Sequence, residues 1–320
     1  QRIHQQRMVG GIEAPVVDVA AELQDPEFQA ALTQLRKSVK FAGILEQAVP
    51  KFVSLLKSQS NSDVIETLNV LKTCCPFRIK GFDGLQRKML GLSFSRHDGI
   101  RNAAIETFQE LSLNAPGSAG EAADAFTVAN ELTRLVSSST MEEKQYFAEI
   151  LRLLVKEKMI NDEVIGTLWR FVCNSEEHTV INDIVLKAHN AMEVLHMMSV
   201  SKPVVVNNTE NLKMLDTIVF GEASKRRRDY AFARHACAAL ESISASKMSE
   251  PSPGVMVLLE KIQDVIVGKW GFSNSQSQNK AWYAFAQQGL RAIFKQHAQP
   301  DKMSEAIVQQ CAADIFGQEG

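Results

Sequence analysis

Hydrophobic positions along the chain recur with the period of an α-helix. In the stretch 140–155 they fall at i, i+3, i+4, i+7 and i+8, which places them on one helix face. Thr140 and Glu143 have the spacing of a capping box at the start of this stretch. Ser118 and Glu121 have the same spacing at the start of the stretch 118–136. The members of the apolar face are Phe147, Ile150, Leu151, Leu154 and Val155.

The same pattern covers most of the chain, so we predict an all-α fold. Asp25 and Pro26 mark the first helix as its N-cap and first helical residue. The one strand candidate is the short apolar stretch 203–208. The predicted helices are 25–39, 40–58, 61–76, 82–94, 98–113, 118–136, 140–155, 161–174, 178–200, 209–220, 226–245, 253–268, 277–297 and 301–316.

The helices also contain a degenerate repeat. Taking Arg101 as an anchor, His189 lies 88 residues on, or two steps of 44; Arg234 lies 45 residues further, and Lys280 another 46. The intermediate copy falls at Gln145. A period of ~40–47 residues is typical of HEAT-type pairs of helices. We therefore predict a right-handed α-solenoid of at least five pairs, the alternative being a coincidence of amphipathic helices.

The repeat copy at 82–113 allows the most detailed prediction. We expect Asp98 to cap its own helix and Arg101 to reach toward the loop of a neighbouring repeat. Seven apolar residues should be buried between the two helices of this copy: Met89, Leu90, Leu92, Ile100, Ala104, Phe108 and Leu111.

Composition narrows the possible functions. The 320 residues carry 35 Lys and Arg against 37 Asp and Glu, a formal net charge of −2, so nucleic-acid contact would need a local patch. No apolar run reaches the ~18 residues of a membrane helix, and no signal peptide is visible. The five cysteines lack C-x-x-C spacing, which fits a reducing compartment. Because the first residue is Gln1 rather than Met, we expect a processed chain or a fragment.

Two groups of cations are candidates for contact with DNA phosphates. Lys225, Arg226, Arg227 and Arg228 are contiguous on a predicted linker, where they should contribute little to packing. The alternative is a solvated loop or a localisation patch. The second group is Arg87, Lys88 and Arg101, which could face the same way on adjacent helices. Without interleaved aromatic residues, either group would bind phosphates and would not read the base sequence.

Catalytic and metal motifs are weak. His189, Glu193 and His196 are spaced so that one helix face could present two of them to a metal, but the metal would need further ligands, so we expect no metal site. Ser244 and Lys247 have S-x-x-K spacing without its accompanying motifs. No Walker A, GxGxxG, GxSxG or HExxH motif is present. We expect no cofactor and no enzyme activity, and we interpret the polar stretch 272–280 as a connector.

Four stretches in order resemble the condensin complex subunit 1 family. "GLQRKMLGLSFSRHDGIRNAAIETFQELSLN" (84–114) is similar to its Arg-Lys-Met-Leu helix and following repeat, and "SNSDVIETLNVL" (60–71) to the helix before it. "AEILRLLVKEKMINDEVIGTLWRF" (148–171) and "AMEVLHMMSVSKPVVV" (191–206) are similar to later motifs, the second ending in Met-Met-x-x-x-Lys-Pro. The resemblance covers roughly 60–220.

The resemblance implies a non-catalytic HEAT-repeat scaffold of condensin in mitotic chromosome condensation. Such subunits bind a kleisin, dock on SMC ATPase heads and help to hold double-stranded DNA. It implies a nuclear or chromosomal location, with cytoplasm outside mitosis, and no membrane partner. We divide the chain into an N-terminal segment 1–59, an array 60–220 and C-terminal repeats 221–320 after the basic linker.

Several alternatives stay open at this point. The condensin I and condensin II forms of the subunit are not distinguished. The chain could instead be another HEAT scaffold, such as a cohesin regulator, a transport receptor or a phosphatase scaffold. A helical enzyme is the remaining class, and it would require a pocket with converging titratable groups.

Overall fold

The computed structural model describes residues 8–9, 12–13, 26–114, 123–243, 251–271 and 275–316. These ranges are almost entirely helical, which confirms the all-α prediction. In order, the helices are α1 Pro26–Leu55, α2 Asn61–Cys74, α3 Phe82–Met89, α4 Asp98–Ser112, α5 Ala125–Ser138, α6 Met141–Lys156, α7 Asp162–Cys173, α8 Asp183–Ser199, α9 Thr209–Met214, α10 Glu222–Arg227, α11 Tyr230–Ser242, α12 Pro253–Ile266, α13 Gln276–Gln296 and α14 Pro300–Phe316.

Shorter elements extend some of these helices. Leu90–Phe94 continues α3 as a 3₁₀ helix, and Leu215–Val219 continues α9 as a π-helix. The predicted strand at 203–208 is wrong, because Pro203–Val205 forms a 3₁₀ turn. Two strands that the pattern did not predict, β1 Met8–Val9 and β2 Ile12–Glu13, form an antiparallel pair in which Met8 lies opposite Glu13.

Some helix boundaries agree with the prediction and others depart from it. The predicted helices 25–39 and 40–58 are one continuous helix, α1, because nothing in the sequence between them interrupts it. Thr140 and Glu143 form the predicted capping box of α6. Helix α5 is capped by Asp124, whose Oδ1 accepts from two backbone N–H groups. The other predicted caps, Asp25, Ser118 and Glu121, lie outside the described residues.

The helices stack in two rows. In one row, α2 packs on α4, α6 on α8, α8 on α11 and α11 on α13. In the other row, α1 packs on α3, α5 on α7 and α9 on α12. The anchors Arg101, Gln145, His189, Arg234 and Lys280 lie on successive members of the first row, so the predicted period of about 44 residues corresponds to one helix pair of the array.

Polar contacts between neighbouring pairs follow the same period. Lys144 Nζ lies 2.7 Å from Glu193 Oε2, 49 positions away in sequence. Ser199 and Ser242 share a hydroxyl hydrogen bond across 43 positions, and Lys261 Nζ donates to the backbone oxygen of Asp216 across 45. Each contact joins one helix pair to the next, as expected when a repeat contacts only its neighbours.

Apolar packing around α4 follows the prediction closely. Phe108 is fully buried, and its ring centroid lies 5.7 Å from that of Phe147 on α6. Leu92 and Leu111 are only partly buried against this core. The remaining predicted members are buried: Met89, Leu90, Ile100 and Ala104.

Candidate nucleic-acid interface

The basic run at 225–228 is not a linker, which corrects the prediction. Lys225, Arg226 and Arg227 form the last turn of α10. Arg228 then adopts a left-handed backbone conformation with φ of 52°, and Asp229 caps α11 by accepting from the N–H of Phe232 at 3.3 Å. The predicted helix start at 226 is therefore wrong, because the chain closes one helix and opens another within these residues.

Arg227 is buried, with only 2% of its side chain exposed. Its Nη1 donates to the backbone oxygens of Ser175 and His178 in the loop between α7 and α8. Its Nη2 donates to Ser224 Oγ at 3.1 Å, and its Nε lies 3.4 Å from Asp229 Oδ2. This guanidinium therefore joins two helix pairs and cannot reach a phosphate. The expectation that the whole run contributes little to packing is wrong.

Asp229 completes this buried network from the other side. Only 1% of its side chain is exposed, and its Oδ2 also lies 2.8 Å from His189 Nε2 on α8. The His189 ring stacks on Phe232 of α11, with centroids 4.9 Å apart. One carboxylate thus connects α8, α10 and α11. Sequence reasoning missed this role, although an Asp directly before an apolar helix is a recognisable N-cap signal.

Arg228 is also held by the array. Its Nε donates to the backbone oxygen of Trp270 at 3.3 Å, and Tyr230 Oη donates to the oxygen of Gly271 at 3.0 Å. The Tyr230 and Trp270 rings stack 5.7 Å apart. Gly271 has a φ of +78°, and a Cβ there would lie 3.3 Å from Arg228 Nη2. The close approach and the positive φ both favour glycine.

The remaining two cations of the run face solvent. Lys225 is exposed, and its Nζ lies 3.5 Å from Glu222 Oε1, a carboxylate that is itself 72% exposed. Arg226 is exposed and forms no ion pair or hydrogen bond within the part of the chain that the structure describes. The surface that could contact phosphate at this junction is therefore the pair Lys225 and Arg226.

The second basic cluster divides in a similar way. Arg87 bridges to the end of α5 and the start of α6, with its Nη1 3.3 Å from Ser138 Oγ and its Nε 3.7 Å from Glu143 Oε2. Arg101 stays within its own helix pair: its Nη2 lies 2.6 Å from Asp98 Oδ1. The predictions that Asp98 caps α4 and that Arg101 reaches a neighbouring repeat are both wrong, since the two side chains pair locally. Lys88 is exposed.

The weak metal and nucleophile candidates do not come together. His189 and Glu193 are engaged with Asp229 and Lys144, and burial lowers the pKa of His196 to about 4. Among the described residues, no three His, Cys, Asp or Glu side chains are grouped as metal ligands. Ser244 and Lys247 lie outside the described residues.

Two further predictions concern the connector and the cysteines. Of the predicted connector 272–280, the part from 276 onward forms the first turns of α13, and 272–274 lie outside the described residues. All five cysteines are free thiols. Burial raises the pKa of Cys75 to about 12, which keeps that thiol protonated near neutral pH.

No described helix combines the length and apolar character needed to cross a bilayer.

Comparison with known proteins connects this array to a family. The Condensin-1 complex subunit CAP-D2 of Arabidopsis thaliana is 23% identical over 290 residues, which cover 90% of this chain and 19% of that protein. The condensin complex subunit 1 of Xenopus laevis is 24% identical, with 91% of this chain and 21% of the relative covered. The mouse protein of that name is 25% identical, with 72% and 16% covered.

These relatives confirm the resemblance predicted from the motifs. The chain is similar to condensin complex subunit 1 proteins of plants and vertebrates, and it spans between 16% and 21% of their lengths. No family model matches the chain. A solved engineered protein, at 16% identity, has a TM-score of only 0.24, so it contributes nothing to the assignment.

Proposed function

We propose that the chain is a segment of a non-catalytic HEAT-repeat scaffold subunit of condensin, acting in mitotic chromosome condensation. The observation that carries the proposal is similarity over 72% to 91% of this chain to a plant protein named Condensin-1 complex subunit CAP-D2 and to vertebrate proteins named condensin complex subunit 1. A two-row array of helices suits the role, since such arrays offer long continuous surfaces to extended partners.

The proposed partners are a kleisin and the SMC ATPase heads. In this division of labour the SMC partners hydrolyse ATP, and the helical array holds the complex together. We propose the nucleus and chromosomes as its location, with cytoplasm outside mitosis. The division into segments 1–59, 60–220 and 221–320 stays a prediction.

Double-stranded DNA is the third proposed partner. Because the net charge is −2, binding relies on local cations, and the exposed members of the two candidate groups are Lys225, Arg226 and Lys88. Arg227, Arg228 and Arg87 bond to other helix pairs, and Arg101 is partly buried and paired with Asp98 in its own helix. Contacts are to phosphates, so affinity depends on salt and not on base sequence.

Co-purification with the kleisin tests the proposal. The chain is co-expressed with overlapping fragments of the condensin kleisin from the same organism, and complexes are isolated by affinity and size-exclusion chromatography. A stable one-to-one complex with one region of the kleisin is expected. Failure of every fragment to bind would contradict the proposal and favour a different HEAT scaffold, such as a transport receptor or a phosphatase scaffold.

A further inference from the structure

A cleft at the side of the array has a composition unlike the basic junctions. It lies between α5, α7 and α8, with a volume of about 490 Å³. Its walls include Phe126, Phe171, Cys173 and Ile184, and its rim carries Glu176 and Glu177. This volume lies within the ~300–1,000 Å³ that is typical of ligand pockets.

The apolar wall of the cleft is exposed to solvent. Phe126 is 58% exposed and Ile184 43% exposed; Val180 and Ile181, which lie in the loop before α8 and do not line the cleft, are 66% and 53% exposed. Single exposed apolar residues are ordinary, but a group of them around one concavity marks a surface for association. The ring of Phe126 is edge-on to Phe171, with centroids 5.6 Å apart, so the wall has a defined shape.

The rim of the cleft is acidic. Glu176 and Glu177 are exposed, and neither forms an ion pair within the ranges that the structure describes. The negative charge reaches the cleft, since burial and then Glu176 raise the pKa of the Cys173 thiol. Two adjacent carboxylates without a partner favour a ligand that carries positive charge.

The aromatic wall already holds a cation. The ammonium of Lys187 lies 3.9 Å from the centroid of the Phe171 ring and 5.3 Å from that of Phe126. Among the described residues this ammonium has no carboxylate partner, and its place over the ring faces is that of a cation–π contact. Burial lowers the pKa of Lys187, so part of its hydration has been exchanged for contact with the rings.

We propose that this cleft binds a short extended segment of a partner protein, in which an apolar side chain is flanked by Lys or Arg. The apolar side chain fills the space against Phe126 and Ile184, and the basic residues meet Glu176 and Glu177. The cleft adjoins the basic junction, since Arg227 Nη1 donates to the backbone oxygen of His178, but neither Lys225 nor Arg226 lines it.

The test begins with a displayed library of random peptides selected against the parent protein and counter-selected with Phe126→Ala. Peptides that combine an apolar residue with neighbouring Lys or Arg are the expected product. An enriched peptide is then synthesised with a fluorophore, and its affinity is measured by anisotropy. Failure to enrich any peptide would overturn the proposal, as would enrichment of acidic peptides whose binding requires Lys187.

Variants connect that affinity to the cleft. Phe126→Ala should weaken binding about thirtyfold, as for an anchor residue at the centre of an interface. Glu176→Lys with Glu177→Lys should weaken it about tenfold, and Lys187→Met should strengthen it about threefold by removing a like charge. The matched control is Glu106→Lys with Glu260→Lys, two exposed carboxylates on α4 and α12. Equal losses in the control and the cleft variant would overturn the proposal.

Discussion

Two junctions of the array each place an arginine near an aspartate, and they are built in opposite ways. At the start of α4, Arg101 pairs with Asp98 three residues earlier, and the two side chains are 37% and 79% exposed. At the start of α11, Arg227 and Asp229 are 2% and 1% exposed. The first pair lies within one helix pair. The second connects to His189 on α8 and to the loop that precedes α8.

The difference teaches that a charged motif in a repeat does not reveal its own role. Exposed pairs contribute little to stability, whereas breaking a buried pair leaves a charge without compensation. The sequence suggested the reverse assignment, with Arg101 as the bridge and Arg227 on a solvated linker. Burial decides which of the two pairs contributes to stability, and burial depends on how neighbouring helix pairs stack.

The largest expected effect comes from the apolar core of the first region. Phe108→Ala should lower the free energy of unfolding by about 4 kcal/mol, because a fully buried ring that packs on Phe147 leaves a cavity. Denaturant unfolding followed by circular dichroism measures the change. Phe94→Ala is the matched control, since Phe94 is 59% exposed. Similar midpoints for the two variants would show that α4 and α6 do not pack as described.

The next effect separates the buried Arg227 from the exposed Arg226. Arg227→Ala should lower the free energy of unfolding by about 3 kcal/mol, because among the described residues Asp229 then stays buried with His189 and the N–H of Phe232 as its remaining partners. Arg226→Ala, one residue earlier, should change stability by less than about 0.5 kcal/mol. The same denaturant experiment measures both. Equal stability of the two variants would place Arg227 at the surface and remove the contrast between the junctions.

Acid should lower the folding stability of the second region, around the start of α11, through its buried histidines. Burial lowers the pKa of His196 to about 4, with Glu241 opposing the shift and Arg234 adding to it, and burial also lowers the pKa of His235. The unfolded chain therefore binds these protons more readily, and stability is lost as pH falls from about 6.5 toward 4. His196→Gln should reduce the loss of unfolding free energy between pH 7 and 5 by about 2 kcal/mol. Parallel pH profiles for parent and variant would refute this.

The smallest effect concerns Arg101. Replacement by Ala should cost less than about 1 kcal/mol, because its partner Asp98 is exposed and the backbone oxygen of Ser95 can bond to water instead. Under the same conditions, the loss of unfolding free energy for Arg101→Ala should be smaller than the loss for Arg227→Ala. A loss for Arg101→Ala as large as that for Arg227→Ala would mean that both junctions bridge repeats.

The sequence predicted the parts of this fold that depend on local periodicity. The apolar face of α6, its Thr140 and Glu143 capping box and the anchors near every 44 residues follow from spacing alone. It could not predict α10 and the turn at Arg228, because a run of cations is compatible with a helix end or a loop. It also could not show the cleft at Phe126, since α5, α7 and α8 meet there only through stacking.

The same reasoning predicted the candidate DNA surface only in part. Cations could be found by composition, but whether each has a protein partner depends on residues such as Trp270 and Ser175, 42 and 52 positions away. The structure reduces seven candidates to the exposed Lys225, Arg226 and Lys88. Partners at these separations reflect the repeat period, which brings residues about 45 positions apart into contact without any local signal.

The central claim is that the run 225–228 divides into an exposed pair available to DNA, Lys225 and Arg226, and two arginines that bond to other helix pairs, the buried Arg227 and the partly buried Arg228. A fluorescence-anisotropy titration of a labelled DNA duplex at several salt concentrations tests it. Lys225→Glu with Arg226→Glu should weaken binding and reduce the salt slope by up to about 0.9 per lost phosphate contact, with unfolding unchanged. Arg291→Glu with Lys295→Glu, exposed cations on α13, is the control of equal charge. Identical affinity and slope for the two double variants would contradict the claim.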